Sequence, residues 1–293
     1  MMDLRKWLAI VRIWSFPLNF VSVSVGVALA LPHFDLGFYI AMVVGVMALN
    51  GVANVVNDIY DFEYGTDRNG DRAAEMRGHP LLTKSATKHA LWNATLVLSV
   101  VAALCGAYIA FRMGYIILIL GAVGALFAFV YTMGRKSIKA LGLGELAVFA
   151  VYGPIVVESA FFVESGTFSL IPAVVSLPIG ILVMLVLVAN NTRDMKEDMR
   201  VGIRNIVIAL GRDGAVSMFS GMLAASYALV LVFIALGDVP ATSAMVLLSV
   251  PAAVRMHGMM HGHLPHDAAA KMSGFALTFG VLFVLGIVAG RIL

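Results

Sequence analysis

The sequence predicts an all-α, polytopic membrane protein with about nine transmembrane helices, and three observations carry that expectation. Of 293 residues, 61% are hydrophobic and only 13% are charged, with a mean hydropathy of +0.95. A water-soluble fold has too little polar surface to cover so much apolar side chain. Apolar runs long enough to cross a bilayer, about 20 residues each, recur along the chain. The period-2 alternation of a membrane β-barrel is absent, which leaves helices, whose backbone groups satisfy one another internally.

The spans fall at about 9–31, 36–61, 91–111, 115–132, 142–163, 168–193, 215–236, 240–256 and 273–291. Arg112-Met113-Gly114 alone separates the third from the fourth, so these two form a tight antiparallel hairpin. The N-terminal stretch reads as a retained span, because Arg12 breaks its apolar run where a signal peptide would be continuous. Two longer polar segments, Phe62 to Lys88 and Arg193 to Asp213, interrupt the series, and both are too short to be domains. Residues 1–293 therefore read as one transmembrane domain. The single cysteine, Cys105, lies in an apolar run and forms no intrachain disulfide.

Nine spans place the basic residues with marked asymmetry. Of 20 Lys and Arg, only Arg112 and Arg291 fall on the side opposite the N-terminus. Positive loops stay in the cytoplasm, so the expected protein is a multi-pass cell-membrane protein with its N-terminus and polar loops cytoplasmic and its C-terminus on the far side. The net charge of +3 and the pI near 9.0 follow from these short loops, and no nucleic-acid partner is expected.

The second span ends in Asn50, Asn54, Asn57 and Asp61, which fall within about 60° of arc on one helical face. Such a stripe cannot face lipid and must face the bundle interior or a wet cavity. The sixth span ends in Asn190, Asp194 and Asp198, spaced i, i+4, i+8 on one face. Asn57 and Asp61 recur as Asn190 and Asp194 at a fixed offset, a weak internal echo of four helices. Two carboxylate clusters on one side of a membrane suit Mg²⁺, a hard cation that takes carboxylate oxygens, keeps waters and bridges to substrate phosphates. Arg72, Arg77, Lys84, Lys136, Lys139, Arg193 and Arg204 share that side and are the candidates for the remaining phosphate oxygens.

Other patterns are weaker. Asp67-Arg-Asn69-Gly-Asp71 begins like a calcium loop but fails at Arg72 and Gly78. His257, His261, His263 and His266 read as surface histidines of a polar loop rather than a transition-metal site. Glu145 and Glu158 inside the fifth span are candidate cavity-facing acids. Trp14, Tyr131 and Tyr152 near span ends serve equally well as interface anchors.

Three ordered blocks carry a family resemblance: Asn57-Asp58-Ile-Tyr-Asp61-Phe62-Glu-Tyr-Gly65-Thr-Asp67; Tyr131-Thr-Met-Gly134 through Gly144-Glu145 to Gly153-Pro154; and Asn190-Asn191-Thr-Arg193-Asp194-Met-Lys-Glu-Asp198, followed by Gly202 and Arg204. Together they resemble the UbiA superfamily of intramembrane prenyltransferases, nearest to its menaquinone branch of 1,4-dihydroxy-2-naphthoate prenyltransferases. The resemblance implies nine helices around a central cavity and Mg²⁺-dependent transfer of a polyprenyl group from its diphosphate to an aromatic acceptor. It implies metal-holding roles for Asn57, Asp58, Asp61, Asp67, Asn190, Asp194 and Asp198. Asp61, Asp194 and Tyr131 would be catalytic, and Asn54, Glu145 and Tyr152 would join the cations above in binding substrate. Expected partners are a polyprenyl diphosphate, the acceptor and membrane lipids. Transfer to a lipid acceptor such as geranylgeranylglyceryl phosphate stays open. A secondary transporter is the rival from another class, although transporters place their acids near the bilayer midplane and these sit at helix ends.

Overall fold

The computed structural model describes residues 4–65, 78–134 and 136–292, and every regular element among them is helical. A short helix α1 (Leu4–Ile10) precedes α2 (Phe16–Ala30), α3 (Leu36–Tyr64), α4 (Lys88–Met113) and α5 (Ile116–Val130). Then come α6 (Gly144–Ser165), α7 (Leu170–Val201), α8 (Ile206–Leu236), α9 (Ala241–His261) and α10 (Ala268–Ile292). Among the described residues eight segments are long and apolar enough to cross a membrane, the first being α2 extended back by a short turn to Ile13, and the 15-residue α5 occupies the place of the remaining predicted span.

Local chemistry sets the ends. The Asp35 carboxylate accepts from Phe38 N–H at 3.0 Å to start α3, and Asn205 Oδ1 accepts from Ile208 N–H at 2.8 Å to start α8. At the other end, Gly65 (φ 70°) closes α3 and Gly202 (φ 76°) closes α7, a left-handed conformation that costs other residues strain. At 29 residues α3 is about 44 Å long, well beyond a hydrocarbon core of about 30 Å. The excess carries Asp58 and Asp61 past the apolar zone, and the still longer α7 does the same for Asp194 and Asp198. By contrast α5 spans only about 22 Å, short of that thickness.

The interior is built on α2, α7 and α10, whose Val21, Val25, Leu182, Leu185, Phe279 and Phe283 are buried in one cluster, while α4 is largely exposed. Lipid tails are as apolar as these side chains, so association depends on close packing rather than on hydrophobic burial. Small residues supply it. A Cβ on Gly180 would lie 2.8 Å from Phe149 O and 3.2 Å from Gly153 Cα, so α6 and α7 meet backbone to backbone. On the α6 side this contact falls at a π-type turn, Val151–Ile155, where Pro154 removes a backbone donor and Gly153 leaves helical geometry.

Polar contacts collect at two ends of the bundle, as alternating spans require. One end holds Arg12 with Asp58, Lys139 with Asp61, Arg193 with Asp194 and Lys88 with Glu63. The other holds the Asp35–Arg112 pair (3.0 Å), Glu164 accepting from Asp35 N–H, and Arg291 donating to Leu29 O and Leu31 O. At Asp35, the Phe38 N–H hydrogen bond and Arg112 hold the carboxyl below its usual range.

The polar segment from Arg193 stays helical to Val201, as the shared face of Asn190, Asp194 and Asp198 implies, and is helical again from Ile206. One expectation changes. His257 and His261 lie on α9, not in a loop. Helix persists past the apolar window there because basic side chains near a C-terminus favour the helix dipole.

Replacing Gly180 by Val should lower the thermal unfolding midpoint in detergent, in line with about 1–3 kcal/mol of overpacking. Gly106→Ala, where a Cβ meets nothing within 4 Å, should leave the midpoint unchanged or higher. Equal midpoints for the two variants would contradict the close α6–α7 contact.

Candidate active site

The polar stripe on α3 divides between two cations. On one side Arg12, held at φ 54° where the N-terminal segment breaks, donates to Asn54 Oδ1 (3.2 Å) and Asp58 Oδ1 (2.9 Å). The Asn54 amide donates to Val11 O (2.9 Å) and Asn50 Oδ1 (3.3 Å), and Asn50 donates to Ser15 Oγ (2.9 Å). Asp58 is 2% exposed. Asn50, Asn54 and Asp58 thus fasten the N-terminal segment to α3.

On the other side stands Lys139, from the stretch between α5 and α6. Its ammonium donates to both Asp61 carboxylate oxygens (2.8 and 2.6 Å) and to Asn57 Oδ1 (3.1 Å). Asn57 donates to Asp61 Oδ2 at 2.7 Å, and Thr132 donates to Asn57 Oδ1 at 3.3 Å. Asn57 and Asp61 are 5% exposed each, so these bonds form where water competes weakly.

The same pair is built again on α7. Asn190 donates to Asp194 Oδ2 at 3.3 Å. Arg193 grips both residues: Nε to Asp194 Oδ1 (2.6 Å), Nη2 to Asp194 Oδ2 (2.5 Å) and Nη2 to Asn190 Oδ1 (2.9 Å). Its Nη1 also donates to His266 O, tying α7 to the approach of α10. One turn on, Asp198 Oδ2 accepts from Asn205, whose carboxamide oxygen caps α8.

A cavity of about 540 Å³ opens at this end, lined by residues that include Asp61, Tyr64, Thr132, Lys139, Gly202 and Arg204. It joins the acid-bearing end of α3 to the C-terminus of α7. Deeper in the bundle, Tyr131 lies within electrostatic reach of Glu145, Arg12 and Asp61, and Tyr152 within reach of Tyr131 and Asn19. Glu145 is 3% exposed and accepts from Asn191 at 2.8 Å.

The structure therefore brings Asp61, Lys139 and Arg204 to one cavity, with Asn57 hydrogen-bonded to Asp61, whereas Asn190, Arg193, Asp194 and Asp198 lie outside its lining. Lys84 and Lys136 are exposed, outside the cavity lining. Asp67, Arg72 and Arg77 lie outside the described residues. Arg12, Thr132, Asn191 and Asn205 were not singled out from the sequence as site residues. Only Arg12 carried a signal, as the one charge inside the first apolar run.

Comparison with known proteins supplies the family. The profile of the UbiA prenyltransferase family matches residues 19–288. The chain belongs to the UbiA prenyltransferase family. It is 32% identical over 225 residues to UbiA prenyltransferase domain-containing protein 1 of Dictyostelium discoideum, covering 74% of this chain and 67% of that protein. It is 28% identical over 278 residues to 1,4-dihydroxy-2-naphthoate octaprenyltransferase of Bacillus subtilis, covering 92% and 88%. The structure of a UbiA homologue from Archaeoglobus fulgidus, bound to GPP and Mg²⁺, superposes with a TM-score of 0.68 at 12% identity, covering 97% of this chain and 99% of that one. Membership makes the protein an intramembrane prenyltransferase.

Arg12→Met should destabilise this member of the family by about 3 kcal/mol, because it deprives the buried Asp58 carboxylate of its guanidinium. Adding Asp58→Leu to Arg12→Met should recover much of the loss. A double-mutant cycle of thermal midpoints that shows the two changes to be additive would exclude the latch.

Proposed function

We propose that this prenyltransferase uses a polyprenyl diphosphate and Mg²⁺ and transfers the prenyl group to an aromatic acceptor of the 1,4-dihydroxy-2-naphthoate kind. The observation that carries the reading is the twice-built Asn/Asp pair, each gripped by a cation, at the end of the bundle where the polar cavity opens. Similarity to the Bacillus subtilis octaprenyltransferase over nearly the whole chain supports the acceptor class.

The donor set suits a hard divalent cation. Each pair offers carboxylate and carboxamide oxygens within one helical turn, and the Lys139 ammonium already lies 2.6–3.1 Å from three such oxygens. Among the described residues no three acids, histidines or cysteines converge on one metal position. That fits Mg²⁺, which keeps waters and fills its shell from substrate phosphates. In this reading Asn57 and Asp61 hold one ion and Asn190 and Asp194 the other, with Asp198 fixed nearby by Asn205. When bound, Mg²⁺ supplies Lewis-acid neutralisation of the charge that grows on the leaving diphosphate.

The chain's own residues do the rest. Lys139 and Arg204 line the cavity and bind phosphate oxygens. Tyr131 and Tyr152 present ring faces, rich in negative charge, to the allylic carbon as its bond to oxygen breaks. The buried interior around them keeps water from that carbon until the acceptor ring attacks it, and the acceptor's proton or carboxyl group then leaves. Glu145, oriented by Asn191, is placed to meet the acceptor's polar groups. Asp67, Arg72 and Arg77 keep their proposed roles toward metal and diphosphate. The N-terminus and this mouth face the cytoplasm, as the charge asymmetry requires.

Purified protein given Mg²⁺, labelled prenyl diphosphates and either 1,4-dihydroxy-2-naphthoate or geranylgeranylglyceryl phosphate should yield the prenylated naphthalene product by mass spectrometry. Asp61→Ala and Asp194→Ala should each cut turnover by about 100-fold or more while remaining folded. Product from the lipid phosphate alone would reassign the acceptor, and full turnover in excess chelator would refute the metal-dependent chemistry. For orientation, a cysteine placed at Lys136 in a Cys105→Ala background should resist a membrane-impermeant maleimide in intact cells and react after permeabilisation.

A further inference from the structure

The two Asn/Asp pairs differ in sequence context but share one feature that the reaction does not by itself require. Each is already closed around a side-chain cation. Lys139 comes from the stretch between α5 and α6, whereas Arg193 comes from the same helix as its acid, one residue before it. Both nevertheless place N–H groups on the same constellation, the carboxamide oxygen at one position and the two carboxylate oxygens four residues later. These are the oxygens that the proposed function assigns to Mg²⁺, so ammonium or guanidinium competes with metal for their lone pairs and their charge.

We propose that Lys139 and Arg193 are resident counter-cations, which neutralise the two acid pairs before metal arrives and transfer to the diphosphate when the metal takes the carboxylates. The inference rests on the proposed use of Mg²⁺ and a prenyl diphosphate. Three points on the page favour exchange over permanent pairing. Lys139 sits in the wall of the cavity, with its side chain 30% exposed, so its ammonium can turn into the cavity without crossing an apolar barrier. Its flexible four-carbon stem permits that movement at low cost. Arg193, 20% exposed, divides its guanidinium between the acid pair and His266 O, so it retains one backbone anchor while its other N–H groups turn to phosphate. Exchange also explains why the acids tolerate burial: a carboxylate left uncompensated there would carry a penalty of several kcal/mol. The consequence is competition. Metal alone must displace a cation to bind, whereas metal arriving with diphosphate gives that cation a new partner.

Mn²⁺, followed by electron paramagnetic resonance, tests this without turnover. In the absence of donor, Lys139→Gln should bind Mn²⁺ about tenfold more tightly than the wild type, the worth of one charge-assisted contact removed from competition. Arg193→Gln should tighten binding similarly, and Lys139→Arg should remain near the wild type. With Mg²⁺ present, Lys139→Gln should bind an unreactive prenyl thiolodiphosphate about tenfold more weakly. Unfolding midpoints measured alongside select variants that are folded, and the two independent sites keep the test decisive if one variant is not. Unchanged or weaker Mn²⁺ binding in both Gln variants, with normal wild-type turnover, overturns the exchange alone. A wild type that binds neither Mn²⁺ nor the analogue overturns the functional reading and the exchange with it.

Discussion

A carboxylate at the edge of a bilayer must be paired, and this fold is organised around that requirement. Asp58, Asp61 and Asp194 stand on helices too long for the hydrocarbon core, and each is met by a cation, remote in sequence for the first two and adjacent on the same helix for the third. Asp58 draws in Arg12, which fixes the N-terminal segment against α3 and imposes the left-handed break at residue 12. Asp61 draws in Lys139, which brings the irregular stretch after the short α5 back over the end of α3. Asp194 holds Arg193, which reaches on to His266 and so couples α7 to the start of α10. Each pair costs desolvation that a purely apolar contact would not. What the pairs provide is register: three connecting segments are placed by charges that accept no other position.

Within the bundle the constraint is different. No hydrophobic gradient separates helix–helix from helix–lipid contact, so the helices are located by how closely their backbones can approach. Gly153 and Gly180 bring α6 and α7 together at the π-type turn, and Gly26 meets Val157 O on the α2 side of α6. The bend at Gly153-Pro154 sits beside Tyr152, whose neighbour Tyr131 lies within electrostatic reach of Asp61. Packing geometry therefore sets the depth of the aromatic pair, and charge pairing sets the position of the acids above it.

Much of this was legible in the sequence. Nine apolar runs, the segregation of Lys and Arg, and the Asn/Asp stripes gave the helices, their alternation and the acid-bearing ends, because composition and the 3.6-residue period report directly on those properties. What periodicity could not report was the partner facing each residue. Asn50, Asn54, Asn57 and Asp61 do share a broad face, but that face meets two cations, one remote in sequence on each side. The helical stretch 257–261 was hidden for a related reason: its polar composition resembles a loop, and its end is met by a tertiary contact, Arg212 to Gly262 O. Residues 66–77, which include Asp67, Arg72 and Arg77, remain legible in the sequence alone.

The two constraints meet in the site. A diphosphate approaching Asp61 and Asp194 brings negative charge toward negative charge, which is unfavourable at a low-dielectric boundary unless positive charge rises with it. Protein cations already paired to the acids cannot supply that increment, since each is balanced by its own carboxylate. Divalent ions entering with the donor can. In the proposed exchange Asp61 and Asp194 would pass to the metal, and Lys139 and Arg193 would supply the positive charge that the diphosphate needs. The site would thus stay close to electroneutral both before and after the donor binds, and none of its carboxylates would stand exposed to the apolar interior at any stage. An arrangement with acids and no basic residues would lack the first of these states, and one with basic residues and no acids would have nowhere to hold the metal. The repeated Asn/Asp pair with its adjacent cation satisfies both conditions with six side chains and two helix ends.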